Sequence, residues 1–321
     1  MHRVKSMNDV GTRTDSVRRG RPTPRQLLDL VKRFVNPSDR SNARHDFCNV
    51  FQTSRSDIAK YLPVDIKQAK VLVLGCGYHY PDVSLWSSVA AQAVGVDIRE
   101  VFWRNGQHML YDSIRRSGQS RSRSLMESVY KRRGYATYFR KLCRMSELDL
   151  DFRHQDLVVY DGARLPFAQA SFDVVCSNAV LEHVSDLAKV ARELNRVTKE
   201  GGINYHLWHN YYSLSGGHVR DHLATSHPWG HLLGDREVGR YLELSGTFLN
   251  KMQPEEITKV LSESFAPLAV MQIDSEHRKK GADPGFRYEG EDLLTPEIES
   301  RLSGYPREVI LTRAYLFIGK R

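Results

Sequence analysis

Short runs of consecutive apolar residues recur along the chain, separated by longer amphipathic stretches. Ala69–Leu74, Ala93–Ile98, Leu157–Tyr160 and Phe172–Ser177 are rich in Val, Ile and Leu with no strict alternation of polar residues, and Ile203–Trp208 reads as a fifth such strand. That pattern predicts strands buried on both faces. Leu187–Val197 instead places apolar residues at i, i+3 and i+4, the signature of an amphipathic helix. Ser185 or Asp186 is expected to cap its start, and Gly201-Gly202 to end it. Pro254–Ser264 reads as another helix, and Ala269–Ile273 and Val309–Ile318 as two final strands. Strands alternating with helices predict an α/β fold with a parallel sheet covered on both faces.

Two stretches exceed this alternation. Residues 100–150 read as a helical insertion after the second strand, two or three basic helices broken at SGQSRSRS. Residues 209–250, dense in His, Gly, Tyr and Trp, follow the fifth strand and read as a cap segment. Chain leaving the carboxyl ends of such strands is where open α/β sheets build ligand sites. Before the first strand, short helical patterns begin at Pro24 and near Ser56–Leu62. The polar, Arg-rich residues 1–22 are expected to stay mobile. The expected division is a basic N-terminal extension, 1–45, and one domain, 46–321.

Composition narrows the class. In 321 residues the apolar fraction of 40% suits a real core. The four cysteines form no CxxC pair, which argues against a thiolate zinc site or disulfide framework and fits a reducing, cytoplasmic setting. No apolar run approaches the roughly 18 residues that cross a bilayer. The net charge of +9 is uneven. Residues 1–45 hold 11 Lys/Arg against 4 Asp/Glu, and residues 99–153 hold 13 against 6. These segments could meet phosphates, although a solvated tail and helix surface account for them as well.

Chemistry first enters at Val71-Leu72-Val73-Leu74-Gly75-Cys76-Gly77, a buried strand running into a Gly-x-Gly turn. The glycines permit a tight turn and close approach of a ligand. Asp97 ends the second strand, where a carboxylate can accept from ribose hydroxyls. The pair points to an adenosine-containing cofactor. A dinucleotide pattern would want a third glycine where Tyr80 stands, a weak mark against NAD.

Further on, Asp161-Gly162-Ala163-Arg164-Leu165-Pro166-Phe167 precedes Ser171-Phe172-Asp173 and Asn178-Ala179-Val180-Leu181-Glu182-His183-Val184. Over residues 68–208 this order resembles the class I S-adenosylmethionine-dependent methyltransferases, in the group related to ubiquinone/menaquinone C-methyltransferases. The resemblance implies a doubly wound, mostly parallel seven-stranded sheet of Rossmann-like type, and S-adenosylmethionine as cofactor. It would put Gly75, Cys76 and Gly77 at the methionine end and Asp97 on the ribose. Asp161 would meet the adenine amino group, with Gly162 and Ala163 leaving room for the ring, and Asn178 would lie beside the methionine amino group. Leu74 stands where the group often carries an acidic residue.

The cap segment supplies candidate bases. His209 and His218 lead, within a run that also holds His222, His227 and His231. Two HxxxH spacings invite a metal reading, but Gly216-Gly217 and Pro228 interrupt any continuous helix, and no metal is assigned. His183 reads as a structural member of a Leu-Glu-His-Val helix, and Gly216-Gly217 as a hinge letting the cap close. The expected reaction is methyl transfer to a small-molecule or saccharide acceptor, oxygen favoured. The alternatives are an RNA-modifying methyltransferase using the basic segments, or a catalytically silent cofactor-binding scaffold. Ser177-Asn178-Ala179-Val180 lacks the Asn-Pro-Pro-aromatic run that would favour RNA.

Overall fold

A computed structural model describes residues 43–77, 81–98, 121–152, 155–160 and 164–321. The expected mobile tail, the helix beginning at Pro24 and most of the basic segments lie outside these residues. Among the described residues seven strands form one sheet: β1 (Lys70–Leu74), β2 (Gln92–Asp97), β3 (Asp156–Val159), β4 (Phe172–Asn178), β5 (Thr198–His209), β6 (Ala266–Ile273) and β7 (Ala314–Lys320). Their order is β3-β2-β1-β4-β5-β7-β6. The first five strands pair in parallel, and β7 runs antiparallel between β5 and β6. The order reverses between β1 and β4, so the sheet is doubly wound, as expected.

The helices are α1 (Gln52–Ala59), α2 (Pro81–Ser87), α3 (Arg121–Ser146), α4 (Leu187–Val197), α5 (Asp221–Ser226), α6 (Gly230–Leu233), α7 (Arg236–Ser245), α8 (Pro254–Ser264), α9 (Pro296–Arg301) and α10 (Arg307–Leu311). Alternate residues of β1 feed two cores. Val71 and Val73 pack with Phe51, Trp86, Tyr138 and Leu142 on one face. Leu72 and Leu74 pack with Leu187, Leu194, Ile257 and Leu261 on the other. With both faces covered, β1 is apolar on both and shows no period-two pattern, whereas β5 alternates because buried Asn204 and His206 find polar partners in Thr198 and Ser177.

Several expectations needed correction. The apolar run Val309–Ile318 is not one strand: its start belongs to α10, and only Ala314–Lys320 is β7. Pro306 opens the helix, and Thr312 closes it with its hydroxyl donating to the Glu308 carbonyl at 2.7 Å. Helix α4 is capped by Asp186, whose carboxylate accepts from Lys189 N. It ends at Val197, before the glycines expected to stop it. Gly201, at φ +74°, and Gly202 lie inside β5 instead. A Cβ on Gly202 would stand 3.0 Å from the Asp173 carbonyl, beside an irregularity in the β4–β5 register. The insertion is helical where described, but α3 starts inside the segment expected to break it. Before α1 a π-helical stretch, His45–Phe51, brings helix ahead of Ser56.

Candidate active site

The carboxyl ends of β1, β2 and β4 meet at the strand-order reversal. β1 leads into Gly75 and Gly77, at φ +66° and +69°, a region that L side chains rarely adopt. A Cβ on Gly75 would fall 2.4 Å from Cγ2 of Val180, so space as well as torsion demands glycine. Cys76 N donates to the Val96 carbonyl at 3.0 Å. Gly77 N donates to Oδ2 of Asp97 at 2.9 Å. The turn and the carboxylate are therefore built as one unit, 20 residues apart in sequence. The Cys76 thiol is buried, and burial pushes its pKa far up, so it offers no thiolate. Asn178 ends β4, exposed at the same edge. It helps line a cavity with Val73, Asp82, Trp86, Leu207 and His277. Burial there raises the Asp82 carboxyl to about 6. Asp161, Gly162 and Ala163 lie outside the described residues.

Beyond Asn178 the chain turns at Ala179, φ +54°, into a single 3-10 turn, Leu181–His183, rather than a longer helix. Asn250 clasps this turn, donating through Nδ2 to the carbonyls of Leu181 at 2.8 Å and Val184 at 3.1 Å. The turn aims Glu182 inward and His183 toward the cap. β5 delivers His209, and the turn after it delivers His218, itself at φ +53°.

The four side chains converge. His209 Nδ1 lies 3.3 Å from His218 Nε2. Glu182 Oε1 lies 3.9 Å from His209 Nδ1, 3.8 Å from His218 Nε2 and 4.0 Å from His183 Nε2. The two histidines singled out from sequence are thus brought together. Glu182, which sequence reading passed over, and His183, which it treated as structural, join them. Glu182 is 2% exposed, and burial lifts its carboxyl to about 7. Burial likewise depresses His209 to about 3 and His218 to about 4, so both imidazoles stay neutral.

The HxxxH pairs do not converge. His222 is exposed. His227 Nδ1 lies 2.9 Å from Asp235, and His231 donates from Nε2 to the Tyr211 carbonyl at 2.8 Å. Gly216 and Gly217 do not have the form of a hinge. Both are buried, and a Cβ on Gly216 would overlap the Asn210 and Tyr211 carbonyls at 2.2 Å. The glycines let the chain cross its own backbone tightly enough to seat His218. The cap is further fastened by fully buried Trp229, whose indole donates to the Ile310 carbonyl at 3.1 Å.

Part of the chain matches a known family. Residues 134–205 match the family model described as a methyltransferase domain. Over that stretch the chain is similar to a methyltransferase domain. The match covers α3 through most of β5, including β4 and the Glu182–His183 turn. The chain is also 36% identical over 88 residues to an uncharacterized methyltransferase of Mycobacterium sp. (strain JLS), over 26% of this chain and 31% of the relative. A methyltransferase of Encephalitozoon cuniculi is 37% identical over 82 residues, 22% of this chain and 39% of that protein. The chain thus aligns with well under half the length of these relatives. Among solved structures, the S-adenosylmethionine dependent methyltransferase from Mesorhizobium loti aligns over 84% of this chain and 98% of its own, with 14% identity and a TM-score of 0.42. Among the described residues, no helix is long and apolar enough to cross a membrane.

Proposed function

We propose that the protein transfers a methyl group from S-adenosylmethionine to a hydroxyl oxygen of a small-molecule or saccharide acceptor. The observation that carries the reading is the Gly77–Asp97 unit: a left-handed Gly-x-Gly turn locked to a carboxylate at the carboxyl edge of β1 and β2. Gly75 and Gly77 clear the space beside the methionine moiety, Asp97 accepts from the ribose hydroxyls, and Asp161 with Gly162 and Ala163 holds the adenine. Asn178, exposed at the end of β4, stands by the methionine amino group. Leu74 is buried and apolar, so ammonium recognition falls to groups after the turn rather than before it.

S-adenosylmethionine brings a methyl already activated on a sulfonium. The chain's own task is to align the acceptor with it, an orientation effect worth up to roughly 7–11 kcal/mol. A hydroxyl acceptor must also lose a proton. His209, neutral and at the mouth of β5 beside the cofactor edge, receives it. The histidine-glutamate cluster is what favours oxygen, since an acceptor that sheds its proton easily needs no such group.

Isothermal titration with S-adenosylhomocysteine and with NAD tests the cofactor step. Saturable binding of S-adenosylhomocysteine and at least about 100-fold weaker binding of NAD are expected, a difference of about 2.7 kcal/mol. Heat with NAD alone would overturn the reading.

A further inference from the structure

We propose that Glu182, His183 and His218 bind a divalent first-row transition cation, with His209 beside its open coordination position. Each of the three residues offers one ligand atom, and these atoms all lie within 4.8 Å of one another, a candidate metal-ligand group. The distances from Glu182 Oε1 are 3.8 Å to His218 and 4.0 Å to His183. Ligand atoms about 2.0–2.1 Å from a tetrahedral ion stand about 3.3–3.4 Å apart. The pairs from Glu182 must close by about 0.4–0.7 Å and the two imidazoles by up to about 1.5 Å, within the reach of side-chain rotation.

Hydrogen bonding joins His209 Nδ1 to His218 Nε2 at 3.3 Å, a contact that a cation on His218 Nε2 would displace, and leaves the Glu182 carboxylate without a side-chain partner. Every Glu182–imidazole distance exceeds hydrogen-bond range, and among the described residues only the backbone amides of Glu182 and His209 approach the carboxylate. A carboxylate 2% exposed and without a side-chain partner is costly to bury. It is aimed at three imidazoles, and a shared cation satisfies it together with two of them, His183 and His218.

The outer contacts fit ligation. His183 Nδ1 lies 2.8 Å from the Phe248 carbonyl, an acceptor only, so Nδ1 carries the hydrogen and Nε2 turns its lone pair toward Glu182. Such a carbonyl behind a ligating histidine fixes tautomer and ring orientation in metal sites. The Asn250 clasp holds the turn bearing Glu182 and His183. His218 is kept at φ +53°, a conformation whose cost persists where the surroundings over-determine it.

Two imidazoles with one carboxylate suit zinc, iron, cobalt, nickel or manganese rather than magnesium or calcium, which take oxygen donors. Three protein ligands leave a position open, the pattern of catalytic sites. On the methyl-transfer reading, on which only this last step rests, the open position takes the acceptor oxygen and His209 lies where its proton leaves.

The test uses the full chain, stripped with a chelator and titrated with zinc chloride by calorimetry. One ion per chain is expected, with affinity at least about 100-fold weaker in Glu182→Gln and in His218→Ala, the scale on which metal sites respond to lost supporting contacts or more. His222→Ala, which alters an exposed histidine outside the cluster, should bind as the parent does. Glu182→Gln removes a buried charge, so its metal-free melting temperature should not fall. If that variant nevertheless fails to fold, His218→Ala and His183→Ala give the same readout. Absence of saturable zinc binding, parent-like affinity in the cluster variants, or equal loss in His222→Ala would each overturn the proposal. Parallel titrations with S-adenosylhomocysteine keep the two readings apart. Zinc bound without S-adenosylhomocysteine removes the methyl-transfer reading and leaves the cation site, and the reverse removes the cation site alone.

Discussion

Gly77 and Asp97 are joined by a hydrogen bond of 2.9 Å from the Gly77 amide to the Asp97 carboxylate, across the ends of neighbouring strands. Removing that carboxylate has two consequences. It deletes the ribose acceptor and it releases the turn. Asp97→Ala should therefore weaken S-adenosylhomocysteine binding by about 1.5–3 kcal/mol, the scale of hydrogen bonds to a charged group. Calorimetry on the purified variant checks this, and undiminished affinity would detach Asp97 from the cofactor.

Gly75 tests the turn from the other side. Gly75→Ala forces a Cβ into Val180 at 2.4 Å and onto a left-handed φ of +66°. The strain should cost about 1–3 kcal/mol of stability and lower cofactor affinity as the turn shifts. Denaturant midpoints give the first figure and titration the second. A companion Gly75→Ala, Val180→Ala double variant should recover part of the loss, since it removes the clash but not the torsion.

His209→Ala should reduce turnover by roughly 10²–10⁴ if its imidazole takes the acceptor proton. The affinity for S-adenosylhomocysteine should stay near the parent value, because His209 is on β5 and away from the Gly77–Asp97 unit. Full turnover in the variant would exclude His209 as the proton acceptor. Lost cofactor binding would instead place the cap inside the cofactor pocket.

His206 predicts a pH dependence of stability. It is fully buried on β5, with Nδ1 2.9 Å from Ser177 Oγ, and burial lowers its pKa to about 3. The unfolded chain protonates this group near its ordinary value of 6.5, while the folded chain keeps it neutral. Stability from this source is therefore complete above pH 6.5 and lost progressively toward pH 3, at up to about 1.4 kcal/mol per pH unit. His206→Gln should be less stable than the parent at pH 7.5, with a gap that narrows as pH falls through 6 and 5. Urea denaturation at those three values measures it, and a constant gap would refute the assignment.

Much of this molecule is decided locally. The positions of β1, β2 and β4 followed from largely apolar runs because the middle of a sheet covered on both faces has no solvent side to alternate with. Leu187–Val197 and Pro254–Ser264 form helices over the ranges their periodicity marks. The Gly-x-Gly turn and Asp97 were legible because torsion and strand-end position constrain residue type directly. The run Val309–Ile318 misled for the converse reason: burial in a helix and burial in a strand write the same apolar run, and Trp229 packing with Ile310 and Leu311 chose helix at its start. The histidine cluster lay further out of reach. His209 and His218 could be singled out by type and placement, but Glu182 read as part of an ordinary helical stretch. Only the parallel pairing of β4 with β5, the 3-10 turn after β4 and the tight crossing at Gly216 set a glutamate and three histidines around one point. Residue identity is written in the chain, but the distances between residues 27 to 36 positions apart come from the strand register and the turns that end it.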